Sequence, residues 1–231
     1  MNNPFENAMA QLDKVAKIKN FDKEFISSFR QPDRDVRISI PVKMDDGNLK
    51  IFEGYRVEYN NALGPYKGGI RYHHDTEINE VKALAFWMTI KCAVAGIPMG
   101  GGKGGITVDP KTLSKGELER LSRGWVKKLA DILGPKKDVP APDVNTTGEI
   151  MNWMVDEFEK ITGDKTRATF TGKPLGSGGS EGRESATGLG VYYTFKALQK
   201  KLNLPEKCSV VVQGFGNVGT FAIKSFLADG H

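Results

Sequence analysis

A chain of 231 residues with 39% hydrophobic content can build one large domain or two modest ones around a real core. Its net charge of +5 and pI near 9.0 come from lysines and arginines interleaved with 28 acids, not from a basic block or arm, which argues against nucleic acid as a partner. No apolar run approaches membrane-spanning length, the first twenty residues lack a basic-then-apolar signal pattern, and Cys92 and Cys208 lie far apart outside any CxxC, so we expect a cytoplasmic protein with reduced, buried thiols.

In chain order, Phe5, Met9, Leu12, Val15 and Ile18, then Phe21, Phe25, Ile26 and Phe29, have the spacing of two amphipathic helices. From Val36 the period changes to two. Ile38, Ile40 and Val42 alternate with polar residues, Asp45-Asp46-Gly47-Asn48 supplies a turn, and Ile51, Tyr55, Val57 and Tyr59 alternate again, the pattern of a hairpin or two neighbouring strands. Gly64-Pro-Tyr-Lys67-Gly-Gly-Ile-Arg71 follows, and taken alone it reads as a solvated turn. Asp75 or Thr76 then caps a helix with Ile78, Val81, Leu84, Ala85, Met88 and Cys92 on one face and Lys91 near its end, where a lysine also suits the helix dipole.

Residues 97 to 106 read Ile-Pro-Met-Gly-Gly-Gly-Lys-Gly-Gly-Ile, so Lys103 is a single amine in a run nearly free of side chains. A flexible surface loop with an incidental lysine competes with a segment that crowds Lys103 with ligand. A phosphate-binding loop is excluded, because Lys103 is followed by Gly104 where that motif needs Ser or Thr.

Ser114-x-x-Glu117 is a capping box for a helix with Leu118, Leu121, Trp125 and Leu129 inward, closed by Gly134-Pro135. The prolines of Asp138-Val-Pro-Ala-Pro-Asp143 present Asp143 on a stiff, non-helical segment. Thr146-x-x-Glu149 reads as another capping box, for a helix carrying Ile150, Met154, Phe158 and Ile161 and stopped by Gly163. Residues 171–180 form a long loop approaching a domain boundary, which we place at 183/184. Beyond it, Ala186 to Leu202 reads as a helix, Cys208 to Gln213 as an apolar strand, and Gly214-Phe-Gly216-Asn-Val-Gly219 opens a last helix. Strand, glycine turn and helix in that order place a pyrophosphate on the helix N-terminus. The further βα units of such a fold do not follow before His231, so we expect either a fragment whose dinucleotide-binding domain is cut short or a domain completed by segments supplied elsewhere.

Three lysines in or beside glycine-rich or small-residue segments, one stiffly held aspartate and a dinucleotide fingerprint point to hydride chemistry on a carboxylate substrate. Clustered lysines bind carboxylates, a crowded and desolvated lysine acquires a pKa nearer neutrality, and an aspartate on a stiff turn can pass protons to and from an amine.

GPYKGGIRYH at 64–73, the helix ending in Lys91, PMGGGKGG at 98–105, DVPAPD at 138–143 and the Ala-Thr-Gly and GFGNVG pair together resemble the Glu/Leu/Phe/Val amino-acid dehydrogenase family, and within it the glutamate dehydrogenases. The resemblance implies an α/β fold: an N-terminal substrate and oligomerisation domain, 1–183, with a mixed sheet flanked by helices, then the first βα unit of an incomplete Rossmann domain, 184–231. It implies that Lys67 binds the side-chain carboxylate of glutamate and Lys91 its α-carboxylate, with Met88 beside them. Lys103 would activate the water that attacks the iminium, and Asp143 would exchange protons with the amino nitrogen. Thr187, Gly214, Phe215, Gly216, Asn217, Val218 and Gly219 would contact NAD or NADP. The reaction implied is reversible oxidative deamination of L-glutamate to 2-oxoglutarate and ammonia by a homohexamer.

Two departures are visible: Met88 stands where many members have Gln, and Pro142 where many have Gly. The alternatives are a dehydrogenase of leucine, valine or phenylalanine, and an inactive fragment that only assembles or binds a dicarboxylate. His73 and His74 have no accompanying ligand cluster in the sequence, so no metal is expected.

Overall fold

The computed structural model describes residues 3–231, which divide into two compact units, one ending at Gly179 and the other Ser180–His231. In the first, β1 (Arg34–Lys43), β2 (Leu49–Asn60), β3 (Tyr66–His73), β4 (Gly101–Thr107) and β5 (Asp138–Pro142) form one mixed sheet of order β1-β2-β4-β3-β5. β1–β2 and β2–β4 pair antiparallel, and β4–β3 and β3–β5 pair parallel. The helices are α1 (Pro4–Lys19), α2 (Lys23–Ser28), α3 (Ile78–Val94), α4 (Lys115–Leu129) and α5 (Gly148–Thr162).

Both faces of the sheet are covered. Ile40, Val42, Phe52, Ile70, Tyr72 and Ile106 pack on Leu121 and Trp125 of α4 and on Ile150, Met151 and Met154 of α5. Tyr55, Val57 and Tyr59 pack on Val81, Ala85 and Phe86 of α3 and on Ala8 and Met9 of α1. Alternate residues of a strand point to opposite faces, so β2 feeds Tyr55, Val57 and Tyr59 to one core and Phe52 to the other. Ile51 lies before the covered part of β2 and is 56% exposed, and Ile161, at the end of α5, is exposed as well.

The two glycine segments are strands, not loops or solvated turns. Residues 66–73 and 101–107 pair side by side in the middle of the sheet, and the turn is confined to 61–65. None of Gly100, Gly101, Gly102, Gly104 or Gly105 has a positive φ, so these glycines serve close approach and not backbone freedom. A Cβ on Gly101 would lie 2.0 Å from Thr89 Oγ1 and 2.3 Å from the Thr89 nitrogen, and one on Gly105 would lie 2.5 Å from Thr76 Cγ2. The glycines thus let α3 settle directly on β4. The prolines at 140 and 142 fall in β5, an edge strand, where their missing N–H groups cost the ladder little.

Several local expectations shift. Glu77, not Asp75 or Thr76, caps α3, its carboxylate accepting from the Asn79 and Glu80 N–H groups. Thr147, not Thr146, caps α5. The Ser114–Glu117 box is present in full, and Gly163 ends α5 with a φ of 76°. Cys92 is buried, whereas Cys208 is only half-buried; both are free thiols. Among the described residues no helix is long and apolar enough to cross a membrane.

Beneath β3 and β4, on the α4 side, Arg56 and Asp138 form an ion pair that is 0% exposed at both ends. Arg56 Nε donates to Asp138 Oδ2 at 2.6 Å and Nη1 to the Gly68 carbonyl at 3.2 Å. Removing one member strands a buried charge. Arg56→Met is therefore expected to lower unfolding free energy by about 3 kcal/mol, read from the urea midpoint.

In the second unit, α6 (Ala186–Lys201) packs on α7 (Asn217–Ala228). Their crossing is close, since a Cβ on Gly188 would meet Phe221 Cβ at 2.5 Å. Residues 208–213 do not form the expected strand: among the described residues none pairs with them, and Val211 is 96% exposed. A parallel strand is defined by its neighbours, and an apolar run cannot make a ladder alone.

Candidate active site

On β3, Lys67, Gly69 and Arg71 point to the face that carries α3, as does Lys103 on β4, because Val57, its partner across the ladder, belongs to the core beneath α3. Gly101 and Gly105 on either side contribute no side chains, so Lys103 occupies the space between β4 and α3 and is only 5% exposed. Its Nζ meets Asp143 Oδ1 at 2.8 Å.

Asp143 follows directly on β5, where Pro142 ends the strand opposite Ile70. Its backbone N–H donates to the Thr146 hydroxyl at 2.7 Å, and that hydroxyl donates to the Ile70 carbonyl at 2.9 Å. Gly69 leaves room for it: a Cβ there would sit 2.7 Å from Asp143 Cβ and 2.8 Å from the Pro142 carbonyl oxygen. The second carboxylate oxygen, Oδ2, accepts from Arg71 Nε at 2.9 Å, and Arg71 Nη1 donates to Glu80 Oε1 of α3 at 2.5 Å.

The electrostatics follow from burial and neighbours. Burial pushes the Lys103 amine below its ordinary pKa against the pull of Asp143, and the cations Arg71 and Arg56 add to the depression. Burial alone would raise the Asp143 carboxyl, but Lys103 and Arg71 outweigh it and hold the group below the usual carboxylate range. The result is an ionised aspartate touching a lysine whose charged form burial disfavours, an arrangement suited to moving protons on and off a bound amine or carbonyl.

Lys67 Nζ donates to the Val139 carbonyl at 3.1 Å and to the Thr171 hydroxyl at 2.8 Å. Its charge is felt at Cys92, whose thiol is raised by burial and partly lowered again by Lys67, so the end of α3 lies over this part of β3. Lys91 is exposed in the last turn of α3, and Met88 is half-buried one turn earlier. The structure thus joins Lys103 to Asp143 directly, sets Lys67 on the same face, and leaves Lys91 and Met88 on the helix above that face. Sequence reasoning gave Arg71, Glu80 and Thr171 no part in the site and took Thr146 for a helix cap. Arg71 stood in a quoted motif, but its role depends on Asp143, 72 residues away.

His73, His74 and Asp75 bring three potential ligand atoms within 4.8 Å of one another at the exposed end of β3. The two rings stack at 4.2 Å, and His73 Nδ1 accepts from the Asp75 N–H.

In the second unit the glycine turn packs tightly at the start of α7. Gly214 has a φ of 92°, Gly216 caps α7, and a Cβ on Gly219 would lie 2.3 Å from the Gly214 carbonyl oxygen. Phe215, Asn217 and Val218 are exposed around that helix start, and Thr187 is exposed in the first turn of α6. Bare N–H groups at a helix N-terminus suit a pyrophosphate.

Two family models match the chain: Glu/Leu/Phe/Val dehydrogenase, dimerisation domain, over residues 32–160, and Glutamate/Leucine/Phenylalanine/Valine dehydrogenase over residues 178–231. The NAD-specific glutamate dehydrogenase of Clostridioides difficile is 51% identical over 222 residues, 96% of this chain and 53% of that protein. The NADP-specific glutamate dehydrogenase of Synechocystis sp. is 46% identical over 228 residues, 98% of this chain and 53% of that protein. Among solved structures, the hetero-hexameric glutamate dehydrogenase of Thermus thermophilus in a leucine-bound form superposes with a TM-score of 0.95 at 38% identity, covering 99% of this chain and 56% of that one. The chain spans about half the length of the curated relatives it matches.

Proposed function

Because the chain belongs to the Glu/Leu/Phe/Val dehydrogenase family, we propose that it carries the substrate half of an NAD- or NADP-dependent glutamate dehydrogenase, oxidatively deaminating L-glutamate to 2-oxoglutarate and ammonia. The observation that carries this reading is the contact of Lys103 with Asp143 on a sheet face that also presents Lys67.

Glutamate brings two carboxylates and one amine. Lys67 would take the side-chain carboxylate and Lys91, from the end of α3, the α-carboxylate, with Met88 packing between. Asp143 removes a proton from the substrate ammonium, leaving the neutral amine whose α-carbon can give up hydride. Thr187 and residues 214–219 of the second unit would hold a nicotinamide dinucleotide, whose chemistry would be to accept the hydride. Lys103 in its neutral form takes a proton from the water that adds to the iminium, Asp143 returns its proton to the departing nitrogen, and the hydroxyl proton of the resulting carbinolamine is released to solvent as the carbonyl forms. Depression of the Lys103 pKa is what makes the neutral amine accessible below the ordinary lysine range.

A homohexamer, six-membered like the hetero-hexameric enzyme of Thermus thermophilus but built of one kind of chain, and a cytoplasmic location, in keeping with two free thiols, belong to the same proposal. Reduction of NAD and NADP followed by nicotinamide absorbance with glutamate, leucine, valine and phenylalanine, using the polypeptide completed through its dinucleotide-binding region, tests it. Glutamate is expected to turn over fastest. Preference for leucine would remove the role given to Lys67, because a cation facing an apolar side chain is costly. Dicarboxylate binding with no absorbance change would leave only a binding protein.

A further inference from the structure

We propose that Arg71, oriented by Glu80, is a positioning residue that fixes the Asp143 carboxylate so that Oδ1 alone faces Lys103 and the substrate nitrogen; the inference rests on the function proposed above. The two oxygens of Asp143 have different cations: Lys103 Nζ on Oδ1 at 2.8 Å and Arg71 Nε on Oδ2 at 2.9 Å. A carboxylate bonded through one oxygen can turn about its Cβ–Cγ bond and exchange its oxygens. Held at both, it cannot turn without breaking a charge-assisted bond.

Arg71 is itself held at two points. Nη1 donates to Glu80 Oε1 at 2.5 Å, and Glu80 sits in the first turn of α3, its own N–H donating to the capping carboxylate of Glu77 at 2.7 Å. The planar guanidinium thus spans from a helix start to the aspartate with its fork fixed, which a lysine's single ammonium could not do. The backbone of Asp143 is anchored to the same strand, through Thr146 to the Ile70 carbonyl, and Gly69 leaves the side-chain space open. Residues 69–71 of β3 therefore act as a template for Asp143. The chemistry is acid–base only: Oδ1 accepts one proton from the substrate ammonium and later returns it to the departing ammonia. Arg71 does not touch substrate in this scheme; behind Lys103, it adds to the pull that holds the carboxyl below the usual carboxylate range.

The test uses Arg71→Gln, Arg71→Lys and Glu80→Gln. In this chain, the Asp143 carboxyl is followed by carbon NMR through a pH titration and assigned with Asp143→Asn. Its midpoint is expected to rise in Arg71→Gln; an unmoved midpoint overturns the proposal. In the completed polypeptide, Arg71→Gln is expected to lower kcat for glutamate by about tenfold or more, with KM changed less than about threefold and the acid limb of the pH profile moved upward. Arg71→Lys, which keeps the charge and loses the fork, and Glu80→Gln, which frees the guanidinium, are expected to lower kcat by smaller factors. A rise in KM at unchanged kcat would make Arg71 a substrate ligand and overturn the proposal. If the unsubstituted enzyme fails to deaminate glutamate, the function reading falls, while the carboxyl titration still decides whether Arg71 governs Asp143.

Discussion

Lys103→Met is expected to lower kcat for glutamate by about 10³-fold while leaving the fold intact, measured by nicotinamide absorbance and circular dichroism on the completed polypeptide. Methionine follows the lysine chain as far as Cε, lacks only the amine, and suits a site between β4 and α3 where the side chain is 5% exposed, so packing survives. What disappears is the base for water attack and the cation on Asp143 Oδ1. The pH profile gives the same role a second signature. A base whose pKa is depressed by burial yields an activity limb that rises with pH below the ordinary lysine value of 10.5. That limb is expected to vanish from the residual activity of Lys103→Met. Retention of both the rate and the limb would show that Lys103 is a structural counter-ion of Asp143 and not the base.

Gly68→Ala is expected to destabilise the first unit by more than about 4 kcal/mol, enough to abolish the folded state at ordinary temperature. A Cβ on Gly68 would lie 1.5 Å from the Gly102 carbonyl oxygen and 2.5 Å from its carbon. Both atoms are backbone in the neighbouring strand, so the clash is relieved only by parting β3 from β4, the pair that carries Lys67, Arg71 and Lys103. Gly176→Ala is the control: it has open space around the added carbon, belongs to the same unit, and should shift the urea midpoint by less than about 0.5 kcal/mol equivalent. If Gly68→Ala unfolds at the same urea concentration as this control, the tight strand spacing is not what the glycines serve.

What the order of residues settled by itself was local or additive. Periods of 3.6 and 2 reveal helices and strands because each reports only which face is apolar, and the Ser114–Glu117 box and the Gly163 stop work through backbone groups a few residues away. Lys67, Lys103 and Asp143 were legible as chemistry because an amine among glycines and a carboxylate directly after a Pro-Ala-Pro run are unusual wherever the chain places them.

The tertiary structure decided whatever depends on neighbours distant in sequence. A run of five glycines and a lysine has no periodicity to read, so only the proximity of α3 and of Arg56 to β4 shows that it is a central strand. Thr146 looked like a helix cap and instead ties Asp143 to Ile70, since a hydroxyl bonds to whichever backbone group the fold brings near it. The apolar run at 208–213 had the composition of a strand but lacks a ladder, because strand hydrogen bonds are made between segments and not within one. The Arg71–Asp143–Lys103 chain of charges likewise exists only once β3, β4 and β5 lie side by side.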